Sequence, residues 1–86
     1  MHKLSKDQLK ERELLLEKLG VHIHIIRVKR RMLQKDVAEL SGFSRSNYNL
    51  IEKGKRNLTF FSMYRIAKAL DVPMDRLLKF KEVDEI

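Results

Sequence analysis

Apolar side chains recur every three or four positions through most of the chain, and no stretch alternates apolar and polar residues as a half-buried strand would. This periodicity predicts an all-α fold. Ser5 followed by Gln8 has the form of a capping box, in which each side chain satisfies the other's backbone amide, and good helix formers follow through Leu14, Leu15, Leu16 and Leu19. The first helix is therefore expected to continue past Gly20 to about Arg31. On it, Leu19, Ile23 and Ile26 form one apolar stripe and Val21, Ile25 and Val28 a second, so two faces are expected to be buried, the second against the N-terminal segment or another copy of the chain. A second helix is expected from about Gln34 to Ser41, with Gly42 as its left-handed terminator. Ser44 would then cap a third, ending near Gly54. Thr59 is placed to cap a fourth helix through Leu70, and Pro73 to open a fifth carrying Met74, Leu77, Leu78 and Phe80. Phe43, Tyr48, Phe60, Phe61 and Met63 sit at helical spacing and are read as core.

With 86 residues, the chain has room for one domain. The expected organisation is an N-terminal helical extension over residues 1–18, one domain over 19–80 and an acidic tail over 81–86. No apolar run approaches the roughly 20 residues a bilayer needs, so no membrane is expected. The first ten residues mix charged and apolar side chains instead of forming a leader, which points to the cytoplasm. The absence of cysteine excludes disulfides, thiolate nucleophiles and sulfur-ligated metals.

Charge changes the picture more. Nineteen Lys and Arg against 12 Asp and Glu leave +7, a balance that favours polyanionic partners. From Val21 to Gln34 four cations (Arg27, Lys29, Arg30, Arg31) meet no anion, and from Gly54 to Leu70 four more (Lys55, Arg56, Arg65, Lys68) are likewise unopposed. No nucleophile and base, glycine-rich phosphate loop or metal cluster can be assembled, so no enzyme, cofactor or small-molecule ligand is expected. His22 and His24 lie two apart on a helix, about 200° around it, and cannot chelate one ion. Neither has a carboxylate at useful spacing along the helix.

The stretch Gln34–Glu52 carries the functional signal. Ala38 allows a close helix approach and Gly42 a sharp turn, as a helix-turn-helix requires. On a wheel of about 100° per residue, Asn49, Ser46 and Leu50 fall within roughly 140° of Arg45, whereas Tyr48 and Ile51 fall on the far side. One arc packs; the other presents groups able to read base edges. Arg45 can form a bidentate fork on guanine, Asn49 can pair similarly with adenine, Ser46 suits several bases, and Leu50 can meet a thymine methyl.

The segment "LQKDVAELSGFSRSNYNLIEKGKRNLTFFSMYRIAKALDVPMDRLL" resembles the lambda-repressor-like, or Cro/C1-type, helix-turn-helix regulators (the XRE family), over about Leu19 to Leu78. The family pattern reads roughly Ser-Gln-x-x-Leu-Ala, Gly-x-Ser, Ile-x-x-Ile-Glu-x-Gly and Ile-Ala-x-Ala-Leu. The resemblance implies a five-helix DNA-binding domain with the third helix, about Arg45 to Lys53, as recognition helix. It also implies a backbone contact from Gln34 and an ion pair between Arg27 and Glu52. Further backbone contacts are implied for Lys53, Lys55, Arg56 and Asn57 around Gly54, where helix-end amides could assist, with Ser44 beside the recognition helix.

Three positions depart from the pattern. Leu33 stands where Ser or Thr usually caps the second helix, costing typically about 1 kcal/mol. Leu58 and Thr59 replace a common Pro-Ser, and Leu50 replaces a polar residue. The string "GKRNLT" in so short a chain is similar to the controller proteins of restriction-modification systems; short phage repressors and antitoxins share much of it. The expected function is a homodimeric, sequence-specific transcription regulator on an inverted-repeat operator in double-stranded DNA. Leu77, Leu78 and Phe80 are the expected dimer contacts. The alternative is an antitoxin-like interaction module with secondary DNA binding.

Overall fold

The computed structural model describes residues 3–80; the expected acidic tail lies outside the described residues. Five helices follow one another: α1 (Lys6–Lys29), α2 (Gln34–Ser41), α3 (Arg45–Glu52), α4 (Phe60–Ala69) and α5 (Met74–Leu77). No strand occurs among the described residues, and no helix there is long and apolar enough to cross a membrane.

The starts of these helices follow local chemistry. The Ser5 hydroxyl accepts from the Gln8 amide at 3.1 Å while Gln8 Oε1 accepts from the Ser5 amide at 2.8 Å, closing the box that sets the first turn of α1. Ser44 and Thr59 accept from Asn47 N and Ser62 N in the same way. Leu33 has no acceptor to offer, and the opening of α2 is closed from the other side, where Asp36 Oδ2 accepts from the Leu33 amide at 2.9 Å. Gly42 ends α2 at φ 80°, a conformation glycine adopts without Cβ strain. Arg31 ends α1 and Asp71 ends α4 in the same left-handed region, each at φ 56°. Neither is a glycine, so neither stop carried the usual signal.

The core forms where α1 crosses α3 and α5, and α2 is held between α3 and α4. Leu19, Ile23 and Ile26 from α1 meet Val37 and Ala38, Tyr48 and Ile51, Ile66, Ala67 and Leu70, with Val72 and Leu77 closing the base. The first stripe of α1 is thus the buried one. The second, Val21, Ile25 and Val28, remains exposed, so burial of both faces within one chain does not occur. The expected division at residues 18 and 19 falls inside α1, which runs unbroken through it.

Two aromatic assignments are corrected. Phe60 and Phe61 are 73% and 63% exposed, because they occupy the first turn of α4 before its buried side begins at Ser62 and Ile66. Phe43 and Met63 only border the core. Phe61 stacks on Tyr64, and the Arg65 guanidinium lies over the Phe43 and Phe61 rings, 4.6 and 5.3 Å from their centroids. The fifth helix is also shorter than expected: Leu78 is its C-cap, and Phe80 lies beyond it, tilted against His22.

Candidate nucleic-acid interface

The α2-turn-α3 unit presents one face of α3 to solvent because its other face is consumed by packing. Tyr48 and Ile51 are buried, Arg45, Ser46 and Leu50 are exposed, and Asn49 lies half-buried beside α2. Ser44 is committed through its hydroxyl to the cap of α3. A guanidinium, a hydroxyl and a branched apolar group therefore share an open surface with an amide at its inner edge, the set that base-edge recognition uses.

Behind this face sits a buried carboxylate. Glu52 is only 8% exposed; Arg27 Nε donates to its Oε2 at 2.6 Å and Arg27 Nη2 to Oε1 at 3.2 Å. Gln34 Nε2 also donates to Oε1, at 3.0 Å. His24 Nδ1 lies 2.9 Å from the same oxygen and 3.1 Å from Arg27 Nη2, so with its hydrogen it donates to the carboxylate and without it accepts from the guanidinium. Burial alone would raise the Glu52 pKa, but the surrounding side-chain donors, led by Arg27, outweigh it and hold the group at about 2. The same pairing raises Arg27. Burial raises the Tyr48 phenol further. Its hydroxyl is close enough to feel both charges, yet it lies outside hydrogen-bond geometry, so it is a neighbour of the pair and not a donor to it. The Glu52 carboxylate partner of His24 comes from α3, 28 residues away, which spacing along α1 could not reveal. His22 turns elsewhere, its Nε2 2.7 Å from the Arg76 carbonyl of α5.

Cations ring the exposed face. Lys53 and Lys55 are exposed and carry no ion pair among the described residues, and Arg56 is held by one bond to Asn47 Oδ1 at 3.2 Å. Asn57 accepts from the Leu58 amide. The expected help from helix-end amides at Gly54 is not available: the Gly54 and Lys55 N–H groups close α3, bonding Ile51 O at 3.0 Å and Leu50 O at 2.9 Å. A cleft at the opposite end is lined by Arg27, Leu33, Gln34, Lys35 and Arg45. Lys35 was not singled out in the sequence, although its position next to Gln34 at the start of α2 was the available signal. Gln34 itself donates inward, to Glu52 and to Asn49 Oδ1 at 3.2 Å.

The expected dimer contacts separate. Leu77 is 0% exposed and belongs to the core of its own chain, packed where α5 closes against α1 and α4, so it cannot face a partner. Leu78 is 50% exposed. Phe80, half-buried, lines a shallow groove with Val21, His22 and Ile25 of α1.

Residues 23–77 match the helix-turn-helix family HTH_3. An HTH-type transcriptional regulator of Sinorhizobium fredii, y4dJ, is 33% identical over 54 residues, 63% of this chain and 70% of the relative. The restriction-modification controller protein C.AhdI from Aeromonas hydrophila superposes with a TM-score of 0.70 at 32% identity, covering 72% of this chain and 94% of that one. The controller C.Esp1396I gives 0.68 at 36% identity, covering 76% and 88%. The clp gene regulator ClgR from C. glutamicum, at 22% identity and a TM-score of 0.72 over 74% and 83% of the two chains, shares the fold. The matched segment spans the whole α2-turn-α3 unit with its buried ion pair and flanking cations, and the chain belongs to the Cro/C1-type helix-turn-helix family of DNA-binding transcription regulators.

Proposed function

We propose that this protein is a cytoplasmic regulator that binds an inverted-repeat operator as a homodimer, of the kind that controls restriction-modification genes. The observation that carries the reading is the exposed α3 face, bearing Arg45, Ser46 and Leu50 over a packed Tyr48 and Ile51. In this reading α3 enters the major groove, where Arg45, Ser46, Asn49 and Leu50 meet base edges. Ser44, Lys35, Lys53, Lys55, Arg56 and Asn57 lie along the flanking phosphates. Two-fold symmetry would set the recognition helices about 34 Å apart, one turn of DNA, so half-sites repeat at about 10 bp or a multiple of it. The exposed Leu78, together with Phe80 and the Val21 and Ile25 side chains that share a groove with Phe80, supplies the apolar area for the dimer. The similarity to two restriction-modification controllers at 32% and 36% identity supports that class.

The test is selection of bound duplexes from a random library at moderate salt. A two-fold symmetric motif with half-sites about one turn apart is the expected result. Salt-sensitive binding with no motif would leave only a basic surface, and absence of binding would leave an interaction module.

A further inference from the structure

We infer that Arg12, on the N-terminal part of α1, adds a phosphate contact to the DNA footprint of this protein; the inference rests on the reading that α3 and the loop after it face DNA. A break in a pattern leads to it. The buried stripe Leu19, Ile23 and Ile26 continues toward the N-terminus through the half-buried Leu16 at spacings of three and four residues, and the next position in that series is Arg12. A cation thus stands on the face of α1 that turns toward the domain. Packing explains why. Gly54, just past α3, lies so close to α1 that a Cβ there would come within 2.6 Å of the Glu17 Cα and 2.7 Å of its nitrogen. At this height α1 has run past the core and lies along the loop that follows α3. One turn before Leu16, Arg12 lines a cleft together with Glu13 and Leu16 of α1 and Gly54, Lys55 and Asn57 of the loop.

The cleft carries the chemistry of an oxyanion site. Arg12 and Lys55 are exposed and have no ion pair among the described residues. Asn57 has committed its Oδ1 to the Leu58 amide at 3.1 Å, which leaves its NH2 group as a donor. Glu13 lines the same cleft, and the two cations outweigh it. A guanidinium, an ammonium and an amide donor around one opening suit a phosphodiester, whose two free oxygens match the planar guanidinium fork. A duplex seated on α3 has its backbone pass the loop that follows, so Arg12 extends the cations Lys53, Lys55 and Arg56 onto a second element. It stands outside the matched family segment, which begins at residue 23. The contact therefore belongs to the N-terminal extension of this chain, and it gives that extension a part in binding.

The test uses the full chain and a duplex carrying the motif it selects, with affinity measured over a range of salt for wild type, Arg12→Ala and Lys10→Ala, and thermal melting of each. Lys10 lies about 160° from Arg12 around α1, so its removal takes the same charge from the opposite face. Arg12→Ala is expected to lower the slope of log affinity against log salt by about one per bound protomer, with motif and melting unchanged, whereas Lys10→Ala leaves the slope as it is. Replacing single phosphates by neutral methylphosphonates locates the contact: one outer phosphate of each half-site should matter to wild type and to Lys10→Ala but not to Arg12→Ala. A wild-type slope in Arg12→Ala, equal reductions from both variants, or no phosphate that falls silent in Arg12→Ala would overturn the inference while leaving the DNA-binding reading intact. Should selection yield no motif, the operator reading falls, and the slope comparison on a random-sequence duplex still decides the role of Arg12. A wild type that binds no duplex would overturn both.

Discussion

Glu52 is the residue on which stability and recognition meet, because it is buried, charged and shared by donors from α1 and α2. Breaking a buried pair by removing one partner costs far more than the pair is worth, since the remaining charge stays desolvated. Its low pKa gives a pH signature. With the folded value near 2 and the ordinary value 4.5, the unfolded chain binds the proton first as pH falls. The stabilisation is therefore complete above about pH 4.5 and is lost on descending toward 2. Thermal melting across that window should show a falling midpoint, and Glu52→Gln should flatten the fall while lowering stability at neutral pH; an unaltered slope would mean that the carboxylate is not held down. Arg45 carries a different expectation. Exposed and without an ion pair among the described residues, it can be removed without harm to the fold. Arg45→Ala should cost about 1–3 kcal/mol of specific binding and relax one base position, whereas a uniform loss on all sequences would make it a phosphate contact.

The elements are set by short-range signals and then by how closely they approach. Ser5, Ser44 and Thr59 cap their helices as the sequence indicates, and Gly42 ends α2. Gly20 is different. Nothing in the helical pattern of α1 explains a glycine at its centre, where alanine would be favoured by about 1 kcal/mol. The structure supplies the reason: a Cβ there would lie 2.7 Å from the Ile51 carbonyl oxygen and closer still to that of Glu52. Both are backbone atoms at the end of α3, unable to swing aside. Gly20→Ala should therefore lower stability by about 1–3 kcal/mol despite its better helix propensity, measurable as a reduced midpoint in chemical denaturation. A stabilised variant would show that α1 and α3 can part without cost. The opposite lesson comes from Phe60 and Phe61, whose spacing suits a core position but whose place in the first turn of α4 leaves them in solvent.

Across the whole molecule, one basic and one apolar surface bear on partners. The cations Lys53, Lys55 and Arg56 border the α3 face, while Leu78 and the Val21–Ile25–Val28 stripe are apolar and uncovered. Lys55→Ala should weaken DNA binding evenly across sequences and reduce the slope of log affinity against log salt by about one; an unchanged slope would remove Lys55 from the footprint. The dimer proposal is tested by contrast within one helix end. Leu77→Ala opens the core and should cost about 2–5 kcal/mol. Leu78→Asp should leave folding intact and turn the sedimenting species from dimer to monomer, and a dimer that survives it would place the interface elsewhere.

The sequence by itself determined what depends on neighbours within a few residues: five helices, their caps, the buried stripe Leu19–Ile23–Ile26, and the arc of α3 that packs through Tyr48 and Ile51. Periodicity and capping are local, so one chain is enough to read them. The Arg27–Glu52 pair was legible only through the family pattern, since 25 residues separate its members. Tertiary structure alone decided that His24 meets Glu52, that Leu77 belongs to the core while Leu78 faces solvent, and that Gly20 is a point of contact between helices. It also decided that Gln34 turns its donors inward to Glu52 and Asn49. Each of these depends on which surfaces two distant segments bring together and on how many hydrogen-bond donors and acceptors remain once they have met.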